Sequence, residues 1–107
     1  MSLDFYLEEM RPTQVFSGNV THNLAGMAKE AGLYEVLWRP DENAFKLAGD
    51  AITTLERGLA LLKAEPERFK AMDPENGWGT YDGLVDFVTR VLEACIENPN
   101  AQIRVWA

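Results

Sequence analysis

Cysteine and histidine are almost missing from this chain, with Cys95 and His22 the single representatives of each among 107 residues. One thiol cannot close an internal disulfide, and no second thiol stands near it to make a metal or redox pair, so nothing points to an oxidising compartment. A lone histidine, with no His/Glu pair at helical spacing and no calcium-loop pattern, leaves no recognisable metal site. Basic residues are also scarce. Ten Lys and Arg face seventeen Asp and Glu, a formal charge of −7. No Lys/Arg cluster offsets it, so a phosphate backbone is repelled and nucleic acid is not an expected partner. The same charge attracts a basic surface on another protein. Long apolar runs are missing too. No stretch approaches the ~18 residues of a membrane helix, and residues 1–10 lack the basic-then-apolar order of a signal peptide. A cytoplasmic protein with no membrane partner is expected.

What is present suffices for one core. Hydrophobic residues make up 47% and charged residues 25%, which separates the chain from the apolar-poor, charge-rich composition of disordered segments. No repeat, low-complexity tract or linker divides it, so residues 1–107 read as a single domain.

Residues Ser2 to Glu8 alternate, with Leu3, Phe5 and Leu7 on one side and Asp4 and Tyr6 on the other, the period-2 pattern of a half-buried strand. Arg11-Pro12-Thr13 can turn the chain. Gln14-Val15-Phe16 then reads as a short return strand that Ser17-Gly18-Asn19 breaks. From Val20 the spacing becomes helical, through Leu24, Met27, Ala28 and Ala31, with Gly32 as the residue past the helix end and Leu33 packing back on the last turn. Tyr34 to Trp38 form one further helical turn ended before Pro40, and Asp41 to Asn43 are loop. The longest helix is expected over 47–64, with Ala48, Ala51, Ile52, Leu55, Leu59 and Leu62 on one face. Pro66 opens a short helix through Met72, and Asp73 to Gly79 form a loop. Thr80 caps a final helix whose buried stripe is Leu84, Phe87, Val88, Val91, Leu92 and Cys95. Gln102 to Trp106 alternate as a last strand.

Both terminal strands need hydrogen-bonding partners, and pairing them with each other is the simplest solution. The expected class is α+β: a small sheet of two or three strands formed by the chain termini, with about three main helices packed on one face. In that arrangement Leu3, Phe5, Leu7, Ile103 and Val105 face the helices. Tyr6, Arg104 and Trp106 share the opposite face, a candidate interaction surface and a route to a homodimer.

Three segments carry polar or unusual chemistry. Asn19 to Asn23 gathers polar residues where the first helix begins, which suits capping by Asn19 or Thr21; His22 and Asn23 lie beside the buried stripe and stay open to a ligand. Asn76-Gly77-Trp78-Gly79-Thr80-Tyr81 sets a tryptophan between two glycines. The plainer reading is a plug with Trp78 in the core, the alternative a ligand platform. Its glycine spacing is not that of a phosphate-binding loop. The acidic face of the last helix, with Arg90 in register with Asp86 and Glu93, reads as solvated. No catalytic residue and no cofactor is assigned, since Cys95 falls on a buried stripe without an activating neighbour. A ligand site is expected where His22 and Asn23 meet Asn76, Trp78 and Tyr81, with the loop packed near the start of the first helix.

Thr21-His22-Asn23-Leu24 with Met27, Pro66-Glu67-Arg68-Phe69, Asn76-Gly77-Trp78-Gly79 with Tyr81, and Leu92-Glu93-Ala94-Cys95 together resemble a family of short uncharacterised proteins of bacteria and their phages. The resemblance covers most of the chain. It implies a bacterial or phage-infected cytoplasm and carries no activity, cofactor or catalytic residue across. The leading functional expectation is a non-enzymatic protein-interaction domain, such as a phage or prophage accessory factor binding a host protein. The alternative is a small-molecule-binding domain or small enzyme with its site between the first-helix start and the Asn-Gly-Trp-Gly loop.

Overall fold

A computed structural model describes residues 2–9 and 14–106; the turn expected at Arg11-Pro12-Thr13 lies outside them. Strand β1 (Ser2–Glu8) is the centre of a three-stranded antiparallel sheet, flanked by β2 (Gln14–Thr21) and β3 (Gln102–Trp106). The terminal strands pair in the register Asp4 to Trp106 through Glu8 to Gln102. The helical middle comprises α1 (Ala25–Glu30), α2 (Tyr34–Trp38), α3 (Ala48–Ala64), α4 (Pro66–Lys70) and α5 (Tyr81–Glu97). This is an α+β fold. No helix of the described residues is long and apolar enough to cross a membrane.

Alternation in β1 decides which side of the sheet is covered. Leu3, Phe5 and Leu7 are wholly buried, and opposite them Val20, Gly18 and Phe16 of β2 and Val105 and Ile103 of β3 turn the same way. The two 17-residue helices α3 and α5 pack on each other beneath this face. Their stripes, Ala48, Ala51, Leu55, Leu59 and Leu62 on α3 and Leu84, Phe87, Val88, Val91 and Cys95 on α5, merge into one core. Leu92, expected on the α5 stripe, is only half-buried, and Ala94 is buried in addition. Each fully buried Leu or Phe contributes about 1.5–3 kcal/mol, so this shared core is what holds the layers together.

The strand β2 does not stop at Ser17-Gly18-Asn19 as expected; it runs through all three to Thr21. Gly18 sits opposite Phe5, and a Cβ there would lie 3.1 Å from the rings of both Phe16 and Phe87. The glycine is therefore a thin place in the strand that lets two aromatic rings close over it, not a break. Val20 belongs to this strand, paired with Leu3, and its helical spacing to Leu24 is coincidental. The chain turns at Thr21, passes through a 3-10 turn over His22–Leu24, and only then enters α1.

Elsewhere the local chemistry matches the spacing. Gly32 has φ +77, its N–H donates to the Lys29 carbonyl and that of Leu33 to the Ala28 carbonyl, a glycine-terminated end of α1 with Leu33 folded into the core. Asp50 reaches back to accept from the N–H of Leu47 at 3.0 Å. The N–H groups of Ala48 and Gly49 donate to the carbonyls of Ala101 and Pro99. The start of α3 is thereby tied to the segment that leads into β3. Asp41–Asn43, expected as loop, forms a 3-10 turn.

Candidate functional site

The outer face of the sheet carries the residues that β1 alternation turns away from the core. In register across the strands stand Thr21 and Ser2; Asn19, Asp4 and Trp106; and Ser17, Tyr6 and Arg104. Tyr6 is half-buried. Arg104 pairs its Nε with Oε1 of Glu8 at 3.0 Å, and Trp106 is 73% exposed. Tyr6, Arg104 and Trp106 thus lie on one open face.

At one end of that face, Ser2, Asn19, Thr21, Asn23, Asn76 and Trp78 line a cleft of ≈ 510 Å³, within the range of small-molecule sites. Three pieces of chain meet there. Ser2 begins β1, Asn19, Thr21 and Asn23 run from the end of β2 into the 3-10 turn, and Asn76 and Trp78 come from the loop before α5. Gly79 is what brings the loop in. It has φ +99, which side-chain-bearing residues rarely adopt, and a Cβ there would stand 2.7 Å from Thr21 Cγ2 and 2.9 Å from Leu24 Cγ. The loop backbone rests directly on the turn that opens the helical half.

Internal hydrogen bonds fix the loop at both ends. The Asn76 side-chain carbonyl accepts from the N–H of Trp78 at 2.9 Å, an Asx turn that holds the asparagine and tryptophan together. Oδ1 of Asp73 accepts from the N–H of Tyr81 at 2.8 Å, and the Thr80 hydroxyl from the N–H of Gly83 at 3.0 Å, so Thr80 is the N-cap its position implies. On the sheet side, the Asn19 amide donates to Ser2 Oγ at 2.9 Å and to Asp4 Oδ1 at 2.6 Å. Asn19 is therefore not the helix cap the sequence suggested; Thr21 takes that part, its Oγ1 accepting from the N–H of Asn23 at 3.3 Å.

Of the five residues proposed as a ligand site, the structure brings Asn23, Asn76 and Trp78 to one cleft and leaves two outside its lining. His22 is turned instead toward α2, where its Nδ1 accepts from the Trp38 indole N–H at 2.8 Å. Tyr81 is buried, and its hydroxyl donates to the Leu62 carbonyl at 2.6 Å. Trp78 is 68% exposed, so the plug reading is overturned: the flanking glycines set the ring out over the cleft instead of folding it into the core. Ser2, Asn19 and Thr21 complete the lining. Only the outward parity of Ser2 and the polar character of 19–23 hinted at them; the extension of β2 that places them was hidden.

The side chains of the cleft are carboxamides, hydroxyls and an indole, which donate and accept hydrogen bonds and do not exchange protons near neutral pH. Cys95 lies apart in the core, its thiol pushed up to about 12 by burial, which keeps it un-ionised and unreactive. Among the described residues no group of three or more His, Cys, Asp or Glu is placed to hold a metal ion. Arg90 pairs with Asp86 at 3.0 Å on the exposed face of α5, an ordinary surface ion pair of small energetic weight. A second cleft of ≈ 480 Å³, more apolar, runs along the outer edge of β3 past Phe45, Leu47 and Ile103. Comparison of the chain with protein-family models, with curated proteins and with solved structures finds no match.

Proposed function

We propose that this chain is a small-molecule-binding domain whose site is the cleft between the end of the sheet and the Asn76–Gly79 loop. One observation carries the reading: residues from three separate pieces of chain converge there, with Trp78 held out over the cleft by an Asx turn and by the seating of Gly79 on Thr21 and Leu24. An exposed tryptophan costs solvation and adds nothing to the core, so a fixed and exposed one is most simply explained by what it touches. The test is a fragment library screened by two-dimensional NMR against the intact chain. Fragments that shift the Trp78 indole and the Asn23 and Asn76 side-chain amides together support the site. A library that leaves all three unmoved, or binds equally well after Trp78→Ala, removes it.

A second reading, protein association, is favoured by Trp106, 73% exposed on the open sheet face beside the apolar β3-edge groove. The occupant with the simplest geometry is a second copy of the chain, since an open sheet face that carries Trp106 can meet its own copy about a two-fold axis. A host-protein partner, as for a phage or prophage accessory factor in a bacterial cytoplasm, uses the same face. Light scattering on wild type and Trp106→Ser separates these: a concentration-dependent dimer lost in the variant supports self-association, and a strictly monomeric wild type ends it.

A further inference from the structure

The geometry points to a neutral saccharide as the ligand of this cleft, an inference that rests on the binding reading above and adds a chemical class to it. Once the internal bonds are made, the lining residues keep hydrogen-bonding capacity for a ligand. Asn19 uses its amide hydrogens on Ser2 and Asp4, which leaves its carbonyl oxygen as an acceptor. Asn76 uses its carbonyl on the Trp78 backbone, which leaves its amide as a double donor. Asn23 contributes a carboxamide with both functions, Thr21 a hydroxyl, and Trp78 an indole N–H. Free donors and free acceptors therefore both line the cleft.

This mixture is what selects the ligand. An anion needs donors alone and a cation acceptors alone, and neither matches a lining that offers both. No Lys or Arg lines the cleft, and the chain is acidic overall, so phosphate and carboxylate ligands find no counter-charge. A sugar hydroxyl donates and accepts at once, and a pyranose distributes several such hydroxyls around its edge. Its ring face, by contrast, is a patch of C–H bonds. The electron-rich face of Trp78 attracts those C–H groups as it does other partial positive charge. A nucleobase presents both an edge and a face as well, but it is held best between two flat surfaces, and this cleft offers one aromatic ring and an open side.

The experiment is NMR titration of the intact protein with methyl glycosides of glucose, galactose, mannose and N-acetylglucosamine and with their disaccharides, each to about 50 mM, which saturates a site with a Kd on the order of 1 mM. Adenosine, uridine and inorganic phosphate form the comparison arm. The expected result is saturable shifts of the Trp78 indole and the Asn19, Asn23 and Asn76 side-chain amides with at least one saccharide. Loss of about tenfold or more in affinity is expected on Trp78→Ala, with Trp78→Phe retaining most of it. Ile96→Ala, at an exposed position of α5 outside the cleft, should leave the titration unchanged. Binding of a nucleoside or of phosphate in place of every saccharide overturns the saccharide assignment while leaving the cleft as a ligand site. Saccharide shifts that persist in Trp78→Ala overturn it also. Silence toward saccharides, with unrelated fragments still shifting the cleft resonances, separates failure of this inference from failure of the binding reading; silence toward both ends both.

Discussion

Trp38 donates its indole N–H to Nδ1 of His22 at 2.8 Å, joining α2 to the turn that opens the helical half of the chain. With Nδ1 accepting, the neutral imidazole carries its proton on Nε2. Tyr34 stacks on Trp38 with ring centroids 5.7 Å apart and planes 6° from parallel, and Lys29 Nζ lies 5.2 Å from the Tyr34 centroid. His22 thus ends a column of side chains instead of facing a ligand. His22→Leu strands the Trp38 N–H in a part-buried place and should cost about 1–3 kcal/mol, read as a lower urea midpoint. Adding Trp38→Phe removes the stranded donor, so the double variant should fall short of the sum of the two single losses. Strict additivity would count against the bond.

Tyr81 has a comparably specific task. The carbonyl of Leu62, near the end of α3, would ordinarily accept from the N–H four residues on, but that residue is Pro66 and has none. The Tyr81 hydroxyl supplies the missing donor at 2.6 Å in a buried setting. Tyr81→Phe is therefore expected to destabilise by about 1–2 kcal/mol, although it removes a single oxygen. Calorimetry that finds no fall in Tm would mean that another donor, such as water, already serves Leu62.

The sequence disclosed the elements whose state is decided within a few residues. The stripes of α3 and α5, the Thr80 cap, the Gly32 terminator and the alternation of β1 and β3 all express local spacing, and pairing of the terminal strands followed from their need for partners. Ser17-Gly18-Asn19 resisted because its composition is that of a turn, and the terms that make it a strand lie elsewhere: pairing with Asp4 to Tyr6 and the rings of Phe16 and Phe87 over Gly18. Asn19 was misread for the same reason, since its partners Ser2 and Asp4 lie 17 and 15 residues away. Trp78 between two glycines was legible as unusual, but the freedom that folds a ring inward also sets it outward. The direction is chosen by Gly79 against Thr21 and Leu24, a contact no spacing reports.

Cys95 gives the structure a pH signature. Burial raises its thiol from 9.0 to about 12, because the thiolate is desolvated in the core. Below the unfolded value both states hold the proton and the contribution is fully present. As pH rises beyond 9.0 the unfolded chain releases the proton while the native chain keeps it, so stability falls by at most about 1.4 kcal/mol per pH unit until the folded value is reached. Other groups titrate there as well, so the comparison is with Cys95→Ala, in which this slope is removed and the cavity cost is constant. The stability advantage of wild type over Cys95→Ala should shrink between about pH 8.5 and 10.5. A constant difference would place the thiol in contact with water.

Trp78 and Gly79 are neighbours with opposite expected behaviour, and together they separate architecture from site. Trp78 is 68% exposed, so Trp78→Ala removes little buried surface and should change stability by no more than about 0.5 kcal/mol. Gly79→Ala must place a methyl against Thr21 Cγ2 and Leu24 Cγ, at 2.7 and 2.9 Å, and hold it at φ +99. Crowding and the backbone conformation together should cost about 2–4 kcal/mol, unless the loop lifts away and carries Asn76 and Trp78 out of the cleft. Either result is visible by urea unfolding combined with the Trp78 indole resonance: the first lowers the midpoint, the second moves the resonance toward its solvent value. If Trp78→Ala were the destabilising change and Gly79→Ala the silent one, the ring would belong to the core and the cleft described here would not exist in solution.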